Sequence, residues 1–152
     1  MVTTANRYHD ISCGHRVVGH ENKCKYLHGH NYRVHFVCEA EQLDNVGRVI
    51  DFSVIKEKLC MWLENNWDHR FLIWEQDRLF LQLYHSCKMD INNIEILIAS
   101  LVKVPFNPTA ENMAQYLVDV IGPQQLAGTG VKLTSVTIEE TRKCSASYTA
   151  KE

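Results

Sequence analysis

Cys24-Lys-Tyr-Leu-His28-Gly-His30-Asn-Tyr32 is the stretch that decides the fold, because it leads into an extended segment that continues to Cys38. Side chains of a strand point to the same face at every second position, so His28 and His30 should share one face. Two imidazoles on one face form a chelate that suits a borderline metal such as zinc. The stretch therefore predicts a strand that carries two metal ligands at its start.

A third ligand would complete a catalytic zinc site, which uses three protein ligands and keeps one position open. His15 is the best candidate, because it ends an earlier extended run that starts near Tyr8 and could pair alongside. Cys24 would then lie next to the metal, where a nearby cation favours the thiolate. The alternative is a closed structural site, although the short Cys-x-x-Cys spacing usual for such sites is missing. Its ligands would be Cys24, His28, His30 and either Cys13 or His15.

Length and composition predict one globular domain over residues 1–152. The net charge of −2 argues against nucleic acid as the main partner, because nucleic-acid-binding surfaces are usually basic. The largest apolar stretch, residues 94–104, contains two charged residues and is too short to span a bilayer. The first residues lack the apolar core of a signal peptide. We therefore expect a cytoplasmic protein without a membrane or nucleic-acid partner.

The cysteines are scattered along a chain that has no secretion signal, which favours reduced thiols over disulfides. Free cysteine behaves as a small hydrophobic residue, so most of these thiols should fill the core. The four cysteines expected in the core are Cys38, Cys60, Cys87 and Cys144.

The predicted elements follow the order of two strands, several helices and a closing hairpin. Strands are expected near residues 8–15 and 30–40, and a helix from about residue 53. Residues 77–88 also have helical spacing, and residues 94–104 should contain a short strand. A further helix should start at Asn107-Pro-Thr109 and stop at Gly122-Pro123. Residues 131–141 and 144–149 should form the hairpin.

Glu140 stands out in the closing hairpin, because strand alternation places it on the apolar face of Val136 and Ile138. A carboxylate on an apolar face is costly unless it is paired. It could bind the 2-amino and N3–H edge of a pterin or guanine through two hydrogen bonds. The alternative is an ion pair with a local cation such as Arg142.

Asp68 and His69 form a second polar pair, between Trp67 and an apolar run. Histidine can shuttle protons near neutral pH, and an acidic neighbour can orient it. The dipeptide alone is equally typical of a polar helix end.

Six motifs together resemble the 6-pyruvoyltetrahydropterin synthase / 6-carboxytetrahydropterin synthase family, over nearly the whole chain. The motifs are Ile11-Ser-Cys-Gly-His15-Arg16, Cys24-x-x-x-His28-Gly-His30-Asn-Tyr32, Gly47-Arg-Val-Ile-Asp51-Phe52, Asp68-His69-Arg-Phe-Leu72, Asn107-Pro-Thr-Ala-Glu-Asn112 and Glu140-Thr141. The resemblance implies the tunnelling fold, an α+β fold with a ββ-helices-ββ chain. Its subunits join antiparallel strands into a barrel with helices outside, commonly as a homohexamer of two stacked trimers.

The resemblance also implies a role for each motif residue. It places Zn²⁺ on three histidines, His15, His28 and His30. Cys24 becomes the thiolate that abstracts a proton, and Asp68 and His69 become a proton relay that reaches in from a neighbouring subunit. Glu140 becomes the pterin anchor, and Thr141 beside it a substrate contact.

Spacing favours one branch of this family. Three residues separate Cys24 from His28, as in the 6-carboxytetrahydropterin synthases of the queuosine and 7-deazaguanine pathway. Those enzymes take 7,8-dihydroneopterin triphosphate and release acetaldehyde and triphosphate. Two features depart from the family pattern. Ile11 stands where an aromatic residue is frequent, and an insert of about residues 74–106 is longer than in compact members.

Triphosphate recognition needs cations, and the candidates near the ligands in sequence are Arg7, Arg16, Lys23 and Lys25. The alternative for these residues is a solvated basic surface.

Three functions stay open at this point. The first is the carbon–carbon lyase, and the second is a pyruvoyl synthase that eliminates triphosphate but keeps the side chain. The third is a non-catalytic, zinc-stabilised module that binds a pterin, a purine or a partner.

Overall fold

The computed structural model describes residues 2–86 and 88–152. In this part of the chain six strands form one sheet: β1 (Thr4–His15), β2 (His28–Ala40), β3 (Phe71–Trp74), β4 (Leu101–Val104), β5 (Val131–Glu139) and β6 (Ser145–Thr149). Their order across the sheet is β4-β3-β1-β2-β5-β6, so β4 and β6 are its edges. Helices pack against the buried side chains of this sheet, which confirms the predicted α+β class.

The long strands β1 and β2 determine the geometry of the sheet. They pair antiparallel from Thr4 opposite Glu39 to His15 opposite His28. Alternate side chains of β2 enter the core, as the period of a strand requires. β1 begins earlier than the predicted residue 8, because its pairing with β2 continues through Thr4-Ala-Asn-Arg7, a stretch with only one small apolar residue.

The sheet is mixed, which corrects the prediction of a purely antiparallel sheet. β2 pairs antiparallel with β1 and β5, and β5 with β6. β3 lies parallel to β1, where Gly14 N donates to Arg70 O at 2.9 Å, and β4 lies parallel to β3. Parallel neighbours need a long crossover, and the insert supplies it between β3 and β4. The four residues of β3 were too few to give a sequence signal.

The first helical run lies between β2 and β3. It comprises α1 (Phe52–Ile55), a wider π turn (Lys56–Cys60) and α2 (Met61–Asn66). The carboxylate of Asp51 accepts a hydrogen bond from Ser53 N at 2.8 Å and so caps the start of α1. Three fully buried side chains follow at four-residue spacing, as the predicted amphipathic pattern requires: Ile55, Leu59 and Leu63.

The insert continues the chain with two further helices, α3 (Arg78–Ser86) and α4 (Ile91–Ser100), before β4. This confirms the predicted helix and the short strand within residues 94–104. Neither helix has a fully buried residue in the part of the chain that the structure describes. Eight large apolar side chains of the insert are exposed: Leu79, Leu81, Leu83, Tyr84, Met89, Ile91, Ile96 and Ile98.

The last helical run comprises α5 (Ala110–Tyr116), a π turn (Leu117–Ile121) and α6 (Gly122–Gln125). Thr109 Oγ1 accepts a hydrogen bond from Asn112 N at 3.1 Å and caps α5. The prediction that Gly122-Pro123 ends the helix is wrong, because α6 continues to Gln125. Pro123 lies in the first turn of α6, where the missing N–H and the fixed φ of proline are tolerated.

The cysteines follow the prediction in part. Cys38 and Cys60 are buried, and burial raises the pKa of Cys38 to about 12. Cys144 is exposed, so its assignment to the core is wrong; it lies in the turn between β5 and β6, outside the alternating core positions of both strands. Cys87 lies outside the described residues.

Among the described residues, no helix has both the length and the apolar character that crossing a bilayer requires.

Candidate metal and active site

Three histidines converge where β1 ends and β2 begins. Strand pairing places His15 opposite His28, and His30 follows two residues later on the same face. The ring centroids lie 4.5 Å apart for His15 and His28, 5.2 Å for His15 and His30, and 4.9 Å for His28 and His30. The antiparallel register therefore brings together the three ligands that the sequence predicted.

Backbone carbonyls orient two of these rings. His15 Nδ1 donates to Pro108 O at 2.6 Å, and His28 Nδ1 donates to Tyr26 O at 2.7 Å. Such bonds place the ring proton on Nδ1 and leave the Nε2 lone pair for a metal. The Nε2 atoms of all three histidines are buried and have no hydrogen-bond partner among the described residues. Buried polar atoms are rarely left unpaired, so this donor set fits a zinc ion.

Glu140 faces the histidine cluster from the end of β5. One carboxylate oxygen lies 2.8 Å from His30 Nε2 and 3.4 Å from His15 Nε2, without hydrogen-bond geometry. His15, and with it His30 and His28, holds the pKa of Glu140 below its ordinary value. Burial lowers the pKa of His30, against the opposing charge of Glu140. Both groups are therefore suited to bind a cation without a proton.

Four ligand atoms, one from each of His15, His28, His30 and Glu140, lie within 4.8 Å of one another. Cys24 is not among the members of this cluster in the described chain. It lies half-buried in a single 3₁₀ turn (Lys23–Lys25), and its carbonyl accepts a hydrogen bond at 2.8 Å from Val17 N, two residues after His15. The geometry favours a histidine site over a closed site with a cysteine ligand. Glu140 pairs with the histidines rather than with Arg142.

Glycine at two positions permits the close packing of β1 against its neighbours at the site. A Cβ atom on Gly29 would lie 3.0 Å from Cys13 O, tighter than strand backbones ordinarily allow. Gly14, directly opposite Gly29, packs against the ring of Phe71 in β3. A side chain on Gly29 would press on the backbone of β1, and one on Gly14 would clash with Phe71 of β3, so either would displace a strand that bears a histidine.

Asp68 and His69 precede β3 and bond the edge of β1 that faces away from β2. Asp68 Oδ1 accepts from Ser12 N at 2.9 Å, and Oδ2 accepts from His69 Nδ1 at 2.8 Å. Partial burial would raise the pKa of Asp68, but the bonds from Ser12 and His69 outweigh it and lower that pKa. His69 has a left-handed backbone with φ of 58°, and its side chain is 82% exposed. The pair is connected as a relay requires, and its imidazole faces outward.

An open pocket of about 760 Å³ is lined both by residues of the histidine–Glu140 cluster and by the Asp68-His69 pair of the same chain. Its charged lining is rich in carboxylates: Asp10, Glu64, Asp68, Glu139 and Glu140 face Arg33, Arg142, His30 and His69. Thr141, which stays a predicted substrate contact, also lines it, whereas Cys24 is not among its lining residues in the described chain. Arg33 is engaged by Asp10 in a bidentate pair at 2.8 and 3.1 Å.

The four cations predicted to contact phosphate are not among the lining residues of this pocket in the described chain. Arg16 Nε and Nη2 donate to Asp77 at 2.6 and 2.7 Å, which raises the pKa of Arg16. Arg7 donates to Phe52 O at 3.1 Å, and Lys25 lies over the ring of Tyr26. Lys23 is exposed in the turn that carries Cys24. Sequence reasoning missed Arg142 as a pocket cation, because only the turn after β5 places it there.

Tyr32 is a second residue that the sequence analysis left without a role. Its ring centroid lies 5.4 Å from that of His30 and 5.9 Å from that of His15. Its hydroxyl is buried without a partner among the described residues, and burial raises its pKa. The alternation that joins His28 to His30 also places Tyr32 on their face, and this was the available signal.

Comparisons with known proteins match the resemblance. The family model described as 6-pyruvoyl tetrahydropterin synthase matches residues 4–151. The chain is similar to a 6-carboxy-5,6,7,8-tetrahydropterin synthase of Rickettsia felis, with 32% identity over 135 residues, 89% of this chain and 91% of the relative. A protein of the same name from Rickettsia typhi is 33% identical over 138 residues, with the same coverage of 89% and 91%.

Solved structures extend the comparison to the fold. An uncharacterized protein from Wolinella succinogenes aligns with a TM-score of 0.85 and 27% identity over 99% of both chains. A 6-pyruvoyl tetrahydropterin synthase from Caenorhabditis elegans aligns with a TM-score of 0.66 and 22% identity, over 99% of this chain and 97% of that one. At that identity the second likeness supports the fold alone. The family model covers nearly the whole chain, and the chain belongs to the 6-pyruvoyl tetrahydropterin synthase family.

Proposed function

We propose that this enzyme is a zinc-dependent carbon–carbon lyase. It converts 7,8-dihydroneopterin triphosphate to 6-carboxy-5,6,7,8-tetrahydropterin and releases acetaldehyde and triphosphate. The observation that carries the proposal is the convergence of three buried, partnerless imidazole nitrogens in one place. The names of the Rickettsia relatives and the three-residue gap between Cys24 and His28 support this branch of the family.

The proposed reaction is redox-neutral overall and consumes one water. The dihydropterin ring gains two hydrogens, while the side-chain carbon attached to it is oxidised to a carboxylate. The bond to the next carbon breaks, and the two-carbon fragment leaves as acetaldehyde after triphosphate is eliminated. Zinc bound at His15, His28 and His30 would supply a Lewis acid for the side-chain oxygens of the substrate, which acidifies the neighbouring C–H bonds.

Proton transfer falls to Cys24, Asp68 and His69. The Cys24 thiolate removes a proton from the substrate side chain. Asp68 holds His69 Nδ1 at 2.8 Å, so the opposite ring nitrogen is free to exchange a second proton. The hydrogen thus moves from the side chain to the ring without leaving the enzyme.

Substrate binding combines an acidic anchor with a nearby cation. Glu140 accepts hydrogen bonds from the 2-amino and N3–H groups of the pterin, and a carboxylate suits this planar edge. The triphosphate needs positive charge, whereas the pocket has more carboxylates than arginines. Arg33 is already paired with Asp10, so Arg142 is the pocket arginine best placed to meet a phosphate. Zinc would further reduce the negative charge.

We propose that Cys24 of one subunit and His69 of a neighbouring subunit share a site. His69 points outward, and Cys24 does not line the pocket of its own His69 in the described chain. The sheet also ends in two open edges, β4 and β6, which oligomerisation would cover. We propose a homohexamer of two stacked trimers, with strands joined into a barrel and Asp68-His69 supplied by a neighbour.

Complementation tests this shared site. The variants Cys24→Ala and His69→Ala should each be inactive, and a mixture unfolded and refolded together should recover a fraction of the wild-type activity. The recovery comes from interfaces that combine an intact Cys24 with an intact His69. Mixed oligomers that stay inactive would place the thiol and the relay within one chain.

A second candidate is a 6-pyruvoyl synthase, which eliminates triphosphate but keeps the side chain. The name of the matching family model favours it. Incubation of the zinc-loaded protein with 7,8-dihydroneopterin triphosphate separates the two by product mass and by acetaldehyde release. Acetaldehyde from the wild type but not from Cys24→Ala supports the lyase. Turnover without acetaldehyde selects the pyruvoyl synthase, and no turnover selects a non-catalytic binding module.

A further inference from the structure

The turn that carries Cys24 has little internal support. It is a single 3₁₀ turn, Lys23–Lys25, without a buried residue and without a side-chain cap from Asn22. A short turn of this kind has no core contacts to fix its position. The position of Cys24 must therefore be fixed by contacts from outside the turn.

Arg16 and Val17, directly after the metal ligand His15, supply that support. Val17 N donates to Cys24 O at 2.8 Å. Arg16 Nη1 donates to Lys25 O at 2.9 Å. Two successive carbonyls of the turn are thus hydrogen-bonded to the residues that follow His15, so the position of the thiol depends on where the Arg16 side chain is held.

Asp77 fixes the Arg16 side chain. Its two carboxylate oxygens accept from Nε and Nη2 of Arg16 at 2.6 and 2.7 Å, and the Asp77 side chain is only 1% exposed. Asp77 Oδ1 also accepts from Leu79 N at 3.0 Å, at the start of α3. A planar guanidinium can bond a carboxylate and a carbonyl at once, which a lysine ammonium cannot match in geometry.

We infer that Arg16 is a positioning residue for Cys24, held in place by Asp77 at the base of the insert, and not a phosphate contact. The inference rests on the proposed role of Cys24. It assigns the insert a task at the active site, because Asp77 both begins the insert's first helix and anchors the arginine that holds the turn. Loss of the pair should loosen the thiol while the three histidines keep their zinc.

The test compares Arg16→Gln with Arg48→Gln, in zinc-loaded protein. Arg48 is a matched control, because it bonds Asp44 and Asp51 at 2.9 Å each, away from the pocket. Iodoacetamide labelling at one pH, read by mass spectrometry, gives the Cys24 rate relative to exposed Cys144. In Arg16→Gln we expect this ratio to rise at least about threefold and kcat to fall at least about tenfold, with KM and bound zinc unchanged. Arg16→Lys should behave like Arg16→Gln.

Two outcomes overturn the inference. A Cys24 to Cys144 labelling ratio and a kcat in Arg16→Gln equal to those of Arg48→Gln overturn it. A rise in KM with an unchanged labelling ratio also overturns it and restores Arg16 as a phosphate contact. If Arg16→Gln does not fold, Asp77→Asn takes its place, because it removes the charge and keeps the shape. An active Cys24→Ala variant would instead defeat the proposed function, and the labelling ratio would still report on the turn.

Discussion

Two regions of the molecule differ in how far they bury their side chains: the site region, where the ends of β1 and β2 pair, and the insert. The ion pair of Arg16 and Asp77 joins them. At the strand ends, His15 is 1% exposed and its ring is hydrogen-bonded to Pro108 O. In the insert, α3 and α4 have no fully buried residue among the described ones, and Ile91 is 71% exposed. The site region is thus specified by contacts within the chain. The helices of the insert contact the rest of the chain through few side chains, such as Phe80 against Phe71, so substitutions should separate the two regions.

The largest difference should come from replacing one histidine in each region. His28→Ala removes one of three predicted ligands, so bound zinc after dialysis should fall below about a tenth of the wild-type level, with loss of activity. His85→Ala, on exposed α3, should leave both unchanged. Metal analysis and product assays provide the measurements. A wild-type zinc content in His28→Ala would show that His28 is not a metal ligand.

Much of the site region follows from the sequence, because strand periodicity acts locally. His28 and His30 share a face by alternation, and the pairing partner of His28 was expected to be His15. The sequence could not show that Glu140 reaches the same cluster, because that contact depends on the register of β2 with β5. The register places Arg33 opposite Glu139 and so brings the end of β5 beside His30.

The parallel strands and the true position of Arg16 could not be predicted for a related reason. Four-residue strands such as β3 carry no period, and their pairing depends on a crossover whose path is set by tertiary contacts. Arg16 was assigned to phosphate by its closeness to the ligands in sequence. Its partner Asp77 lies 61 residues away, so only the folded chain reveals the pair.

A smaller effect is expected from removing one charge in each region. Asp68→Asn keeps the shape but weakens the hold on His69, and general acid–base groups contribute about 10²–10⁴ in rate. We therefore expect kcat to fall by at least about a hundredfold with zinc retained. Asp90→Asn, which alters the cap of α4, should keep the wild-type kcat. Equal kcat values for Asp68→Asn and Asp90→Asn would show that Asp68 has no part in the proton relay.

Glu140→Gln should act on affinity, and its zinc content distinguishes two roles of this residue. As a pterin anchor, Glu140 is a charged acceptor, and a hydrogen bond to a charged group is worth about 1.5–3 kcal/mol. The substrate Kd of Glu140→Gln should therefore rise at least about tenfold. Glu95→Gln on exposed α4 is the control and should bind as the wild type does. Loss of zinc together with affinity would make Glu140 a metal ligand. An unchanged Kd would move the anchor elsewhere, with Glu111 the next residue to test.

The smallest effect should come from the apolar surface of the insert. Leu72→Ala in β3 empties a fully buried position and should lower the free energy of unfolding by about 2–5 kcal/mol. Leu83→Ala in α3 removes a side chain that is 43% exposed, and leucine and alanine have similar helix propensities, so we expect a change within about 0.5 kcal/mol. Urea unfolding at two protein concentrations measures both variants. A loss above about 1 kcal/mol for Leu83→Ala that grows with protein concentration would mean that a second copy covers the insert, because only a contact between chains depends on concentration.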